Sequence, residues 1–153
     1  MLPVCARLNN NRWEKEMETF ERLEIRYWVQ NAIALYESDG EEEVLRQIAD
    51  PEGKFIWKER YIFALDTKGT LLAHPFSKTL VGINLLDYRD CNGKPFIRKI
   101  ITTAEKRGYG FADYSWRLPD SEEECNKTVF FERVNRIVFC SGFYTRDSPF
   151  EGI

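Results

Sequence analysis

The sequence predicts an α+β domain, with helices gathered at its N-terminal end and strands gathered into an antiparallel sheet. Two observations carry this. Helical spacing dominates up to residue 50 and strand-like runs dominate after Phe55, with only one later helix, so the two element types do not alternate as they would in a doubly wound fold. Short turn signals, "TKG" and "NR", separate successive apolar runs, so neighbouring strands pair as hairpins.

The first element is a helix from Arg12 to Tyr36. Trp13, Met17, Phe20, Leu23 and Tyr27 recur at steps of three and four, which places them on one helical face. The simplest reading of that stripe is core packing. Beyond Tyr27 the segment is apolar nearly all round (Trp28, Val29, Ala32, Ile33, Leu35), so its second half is expected to lie deeper than its first. "ESDG" ends it, with Gly40 suited to a left-handed turn. "EEEVLRQIADP" is a short second helix: acidic residues at its start suit the helix dipole, and Pro51 prevents continuation.

After Phe55 the grammar changes. "RYIFALD" and "TLLAHPF" flank "TKG" as a hairpin. "SKTLVGINLLDYRDCNGKP" is a long, polar, structured excursion. "PFIRKIITTAEKRG" is a helix with Pro95 allowed in its first turn and Gly108 at its end. "YGFADYSW", "KTVFFERV" and "RIVFCSGFY" close the chain as three strands, the last two an antiparallel hairpin across "NR".

Bulk properties bound the function. The chain has 153 residues, the size of one domain: helices over 12–50, sheet and pocket over 55–145. It is 43% hydrophobic and 14% aromatic, enough for a core. A net charge of −3 and a pI near 5.4 argue against a nucleic-acid partner. No stretch is apolar enough to span a bilayer; "IRYWVQNAIALY" is broken by Arg26, Gln30 and Asn31. "MLPVCARLNNNR" lacks the apolar core of a signal peptide. Both a complete soluble protein and an excised receptor domain fit. Cys5, Cys91, Cys125 and Cys140 include no C-x-x-C, so a zinc site is not expected; no motif calls for another metal or a cofactor, and none is expected. Their pairing, and with it the redox compartment, stays open; Cys140 reads most simply as a small buried residue.

Six motifs in order resemble the single Cache domains of type 2, the small-ligand sensing modules of chemoreceptors and sensor kinases. "YIFALDTKGTLLAHP" resembles the family's first hairpin. "LVGIN", "DYRDCNGKPFIRK" and "GYGFADYSWRLP" resemble its loop, next helix and Tyr-x-Trp strand. Lys127 opens the following strand, and "CSGFY" is similar to the family's small-Gly-x-Tyr ending. Phe130 stands where the family often has a tyrosine, so no role for that hydroxyl carries over, and Cys91 replaces a commoner proline. The resemblance implies a long N-terminal helix packed on a central antiparallel PAS-like sheet of about five strands, with a small-molecule pocket on the other face. It implies a sensory role, a periplasmic or extracellular setting, and a short carboxylic acid as ligand. It also implies a homodimer through the N-terminal helix, where Trp13, Met17 and Phe20 lie on a half-helix the core does not fully cover.

The candidate ligand residues are His74, Lys127, Tyr61, Phe63, Tyr114 and Trp116. Tyr61 and Phe63 share one strand face, as do Tyr114 and Trp116. Plain core is the bland reading of these aromatics, but Tyr and Trp carry polar tips that need partners once buried. In the related sensors a cation on this strand and the histidine of the His-Pro dipeptide hold the ligand carboxylate, and the resemblance implies that role for Lys127 and His74. The chemistry is direct: a desolvated carboxylate needs charged or polarised donors, and Pro75 holds the His74 backbone extended. Asp87, Asp90, Asn92 and Gly93 do not make an EF-hand loop. With Gly93 at the sixth position, Tyr88 and Lys99 fall on ligand positions. "DCNG" is instead an Asx turn. Two rival functions remain: a Cys-His enzyme, for which no spacing speaks, and a dimerisation domain that has lost its ligand.

Overall fold

The computed structural model describes residues 12–145. Two helices come first, α1 (Arg12–Asp39) and α2 (Glu41–Ala49), divided at Gly40, whose φ of 93° favours glycine. The strands are β1 (Ile56–Trp57), β2 (Arg60–Asp66), β3 (Leu71–Ala73), β4 (Tyr109–Arg117), β5 (Glu124–Val134) and β6 (Ile137–Tyr144), with α3 (Phe96–Arg107) ahead of β4. All pairings are antiparallel in the order β1-β2-β6-β5-β4, and β3 pairs with β2. The α+β reading therefore holds, with six strands in place of about five. The addition is β1, a two-residue strand paired with the start of β2. The α3 boundaries follow the sequence signals: Pro95 sits at the N-cap and Gly108 caps the C-terminus at φ 86°.

Strand alternation divides the core into two layers. Ile62, Phe130, Ile137 and Phe139 point to one face and meet Ile25, Val29 and Ile33 of α1 with Val44 and Ile48 of α2. Tyr61, Phe63, Val129, Phe131, Val138 and Cys140 point to the other and meet Ile97, Ile100 and Ala104 of α3. Each fully covered aliphatic side chain contributes roughly 2 kcal/mol. The long helix thus closes one side of the sheet, and α3 with the 74–95 excursion closes the other.

One expectation is corrected. Trp13, Met17, Phe20, Leu23 and Tyr27 do not pack into the core; they are 42–65% exposed. The buried face of α1 runs through Ile25, Val29, Ala32 and Ile33. Tyr27 lies two positions past Ile25, about 200° around the helix axis, so the two stripes face opposite ways. Both have helical spacing, and the larger side chains lie on the uncovered one. Beyond Tyr27 the deeper packing expected is present.

Candidate ligand-binding site

His74 directly follows β3 and is buried. Its Nδ1 accepts the backbone N–H of Phe76 at 3.0 Å and of Ser77 at 2.8 Å. A nitrogen accepting two N–H groups carries no proton, so the imidazole is neutral with its proton on Nε2. Burial first, then the charges of Lys127 and Arg117, hold its pKa well below the usual value. His74 therefore offers one donor, Nε2–H.

Lys127 lies in β5 between Tyr114 of β4 and Tyr144 of β6. It is 1% exposed. Its amine sits 4.1 Å from the Tyr61 ring centroid and 5.3 Å from that of Phe63, and it donates to Tyr61 Oη at 2.8 Å. No carboxylate pairs with it among the described residues. Burial pulls its pKa from 10.5 to about 7, against a small opposing influence of Cys140. Gly142 makes the room for its stem: a Cβ there would lie 2.9 Å from Lys127 Cε and 2.5 Å from the Thr128 carbonyl oxygen. The Tyr61 hydroxyl also meets Tyr144 Oη at 3.3 Å, and Tyr144 Oη donates to the Arg117 carbonyl at 2.6 Å.

The six sequence-derived residues share one sheet face in two adjoining groups. Tyr61, Phe63, His74 and Lys127 form the first, with the His74 ring 4.8 Å from Tyr61 and 5.6 Å from Phe63. Tyr114 and Trp116 form the second, around Phe96, which stacks on Tyr114 at 3.9 Å. A cavity of about 20 Å³ joins them, lined by Phe63, His74, Tyr114 and Trp116 with Leu71, Leu85, Phe96 and Ile97. That is space for about one water. Tyr61 and Lys127 do not line it. His74 Nε2, the Tyr114 hydroxyl and the Trp116 indole N–H have no hydrogen-bond partner among the described residues.

The excursion covers this face, with the Tyr88 ring 5.7 Å from Trp116. Its anchor is Asp90: Oδ1 accepts the N–H groups of Asn92 (3.0 Å) and Lys94 (2.9 Å), and Oδ2 accepts that of Ser115 on the edge strand β4 (2.9 Å). Burial pushes this carboxyl up, but the three backbone donors outweigh it and hold its pKa below the ordinary value. The Asx-turn reading of "DCNG" is correct, and it also satisfies an open sheet edge. Sequence reasoning missed the parts played by Tyr144, Gly142, Phe96 and Asp90. A glycine inside a strand signals close approach, so "CSGFY" did carry a clue to Gly142.

A long helix on one face of an antiparallel sheet and a small, mostly apolar cavity on the other make up a PAS-like α+β fold. The model of the Cache domain family matches residues 29–147, and the chain belongs to that family. It is similar to a periplasmic sensor domain of a chemotaxis protein, with a TM-score of 0.70 and 24% identity over 88% of this chain and 99% of that one. It is also similar to a Cache chemosensory domain described for carboxylic acid recognition, with a TM-score of 0.72 and 18% identity over 85% and 97% of the two chains. A methyl-accepting chemotaxis protein from Vibrio parahaemolyticus RIMD 2210633 gives 0.69 and 24% over 85% and 89%. At these identities the likeness is one of fold. Among the described residues no helix is long and apolar enough to cross a membrane.

Proposed function

We propose that the chain, as one sensor domain spanning residues 1–153, is the ligand-binding module of a signal-transduction receptor and recognises a small carboxylate such as acetate, propionate, pyruvate or lactate. The observation that carries this is an excess of donors. Lys127, His74, Tyr114 and Trp116 bring N–H and O–H groups to one buried face, and no carboxylate among the described residues answers them. An anionic acceptor is the species such a face stabilises. The similar Cache chemosensory domain is itself described for carboxylic acid recognition. The cavity as it stands holds about one water, so even a two- or three-carbon acid enters only if the excursion yields.

The test is a thermal-shift panel of acetate, propionate, lactate and pyruvate with the matching amides. At a hundredfold excess over the dissociation constant, an acid is expected to stabilise the protein by roughly 2.7 kcal/mol. The amide, lacking the charge, should not. Lys127→Ala and His74→Ala should each fold and abolish the shift. If both variants respond as the parent does, the site assignment is wrong.

Nothing here favours catalysis. Burial pushes the Cys140 thiol far up, away from thiolate, and His74 spends Nδ1 on the backbone. We assign an extracytoplasmic setting from the sensor family and from Cys125, which is disulfide-bonded, a state that oxidising compartments preserve. The exposed Trp13–Tyr27 stripe suits a weak parallel homodimer along α1. Sedimentation is expected to show concentration-dependent dimerisation that Phe20→Glu removes; a strict monomer at high concentration rejects the dimer.

A further inference from the structure

Three side chains and one carbonyl form an ordered chain on the ligand face. Lys127 Nζ donates to Tyr61 Oη (2.8 Å), Tyr61 Oη meets Tyr144 Oη (3.3 Å), and Tyr144 Oη donates to the Arg117 carbonyl (2.6 Å). The far end sets the direction of the rest. A backbone carbonyl only accepts, so the single proton of Tyr144 is committed to Arg117. Tyr144 then meets Tyr61 with a lone pair, and the single proton of Tyr61 points to Tyr144. Only lone pairs of Tyr61 remain for Lys127. A neutral amine could also accept a proton from Tyr61, and this chain denies it that bond. An ammonium has three donors and no acceptor, so it loses nothing.

We infer that Tyr144 is a positioning residue for the ligand-binding cation. By anchoring its own proton on the Arg117 carbonyl, it holds the Tyr61 hydroxyl as an acceptor and favours the charged form of Lys127 that a carboxylate requires. The second half of this statement rests on the carboxylate reading of the site. The other titratable or charged groups that bear on the amine are Cys140 of β6 and His74 after β3, and those that bear on its partner Tyr61 are Tyr114 and Arg117 of β4. Burial keeps Tyr114 and Cys140 protonated and His74 neutral. None of these hydrogen-bonds the amine, which leaves the orientation of the Tyr61 proton as the adjustable influence.

Tyr144→Phe keeps the ring and removes the hydroxyl. The NMR shift of the Lys127 ε-carbon, titrated in unliganded protein, reads the charge of the amine directly. The midpoint is expected to fall by about one unit relative to the parent. At about pH 7 the apparent affinity for the best binder among acetate, propionate, lactate and pyruvate should weaken about fivefold, since only the charged fraction is competent. Adding Tyr144→Phe to a Tyr61→Phe protein should leave the midpoint where Tyr61→Phe alone puts it. A merely structural role for Tyr144 would shift both backgrounds alike. An unmoved midpoint in Tyr144→Phe, an equal shift in both backgrounds, or a Tyr144→Phe protein that does not fold each overturns the inference. A shifted midpoint in a parent that binds none of the four acids upholds the proton orientation and removes the carboxylate reading.

Discussion

Lys127 is the residue on which the proposed ligand face turns. Its amine is wholly buried against Tyr61 and Phe63, and its pKa falls to about 7. The unfolded chain keeps that proton up to about 10.5, so between these values the unfolded state binds more protons. Stability therefore rises with pH from about 7 to about 10.5, and the full penalty persists below that window. The span corresponds to on the order of 5 kcal/mol. Lys127→Met, similar in volume and uncharged, is expected to stabilise the unliganded protein by roughly 3 kcal/mol at about pH 6 and by little near pH 10.5. Urea denaturation at both pH values checks this, and an equal gain at both would show that the buried amine is not the cause. Gly142→Ala should cost roughly 2 kcal/mol or more, because the added Cβ meets the Thr128 carbonyl oxygen at 2.5 Å, an atom of the sheet backbone that cannot swing aside.

At the scale of elements, α1 is attached to the sheet by two different kinds of contact. From Ile25 to Ile33 it is held by buried apolar side chains. Nearer its N-terminus the ties are polar. Arg60, buried at the start of β2, pairs with Glu24 at 2.8 Å and with Glu21, and lies between the rings of Trp28 and Trp57. Arg22 adds a cation–π contact to Phe111 at 4.7 Å. Arg60 also neighbours Tyr61, so β2, whose Tyr61 hydroxyl accepts from Lys127 of β5, begins at the clasp on the helix. Arg60→Ala is expected to cost roughly 3 kcal/mol. Hydrogen exchange should speed up over residues 12–24 and change little over 25–33. Uniform acceleration along the helix would mean that the clasp is not local.

For the molecule as a whole, strand alternation and caps made most of the fold legible. β2, β3, β4, β5, β6 and α3 follow from apolar periodicity bounded by glycine, proline and short turns. β1 was not readable, because a two-residue strand has no period and exists only through its register with Tyr61 and Arg60. The face of α1 was misread because two stripes share one spacing, and only the sheet decides which is covered. His74 stands out as the chain's single histidine, but its ligand role and that of Lys127 come from family likeness; periodicity alone gives a strand lysine no reason to be buried. The chain from Lys127 to Arg117 needs the register of three strands, which no local pattern encodes.

In the proposed site a carboxylate pairs with the protonated amine of Lys127. Calorimetric titration of the four acids in buffers of differing ionisation enthalpy counts the protons taken up on binding. With the free amine at about 7 and the bound amine held charged, uptake should approach about 0.9 proton at roughly pH 8 and about 0.1 at roughly pH 6. His74 spends Nδ1 on two backbone N–H groups and so offers no site for a second proton. In Lys127→Met the binding and the uptake should both disappear. Binding without uptake at the higher pH, or binding that survives in Lys127→Met, would rule out a carboxylate paired with Lys127.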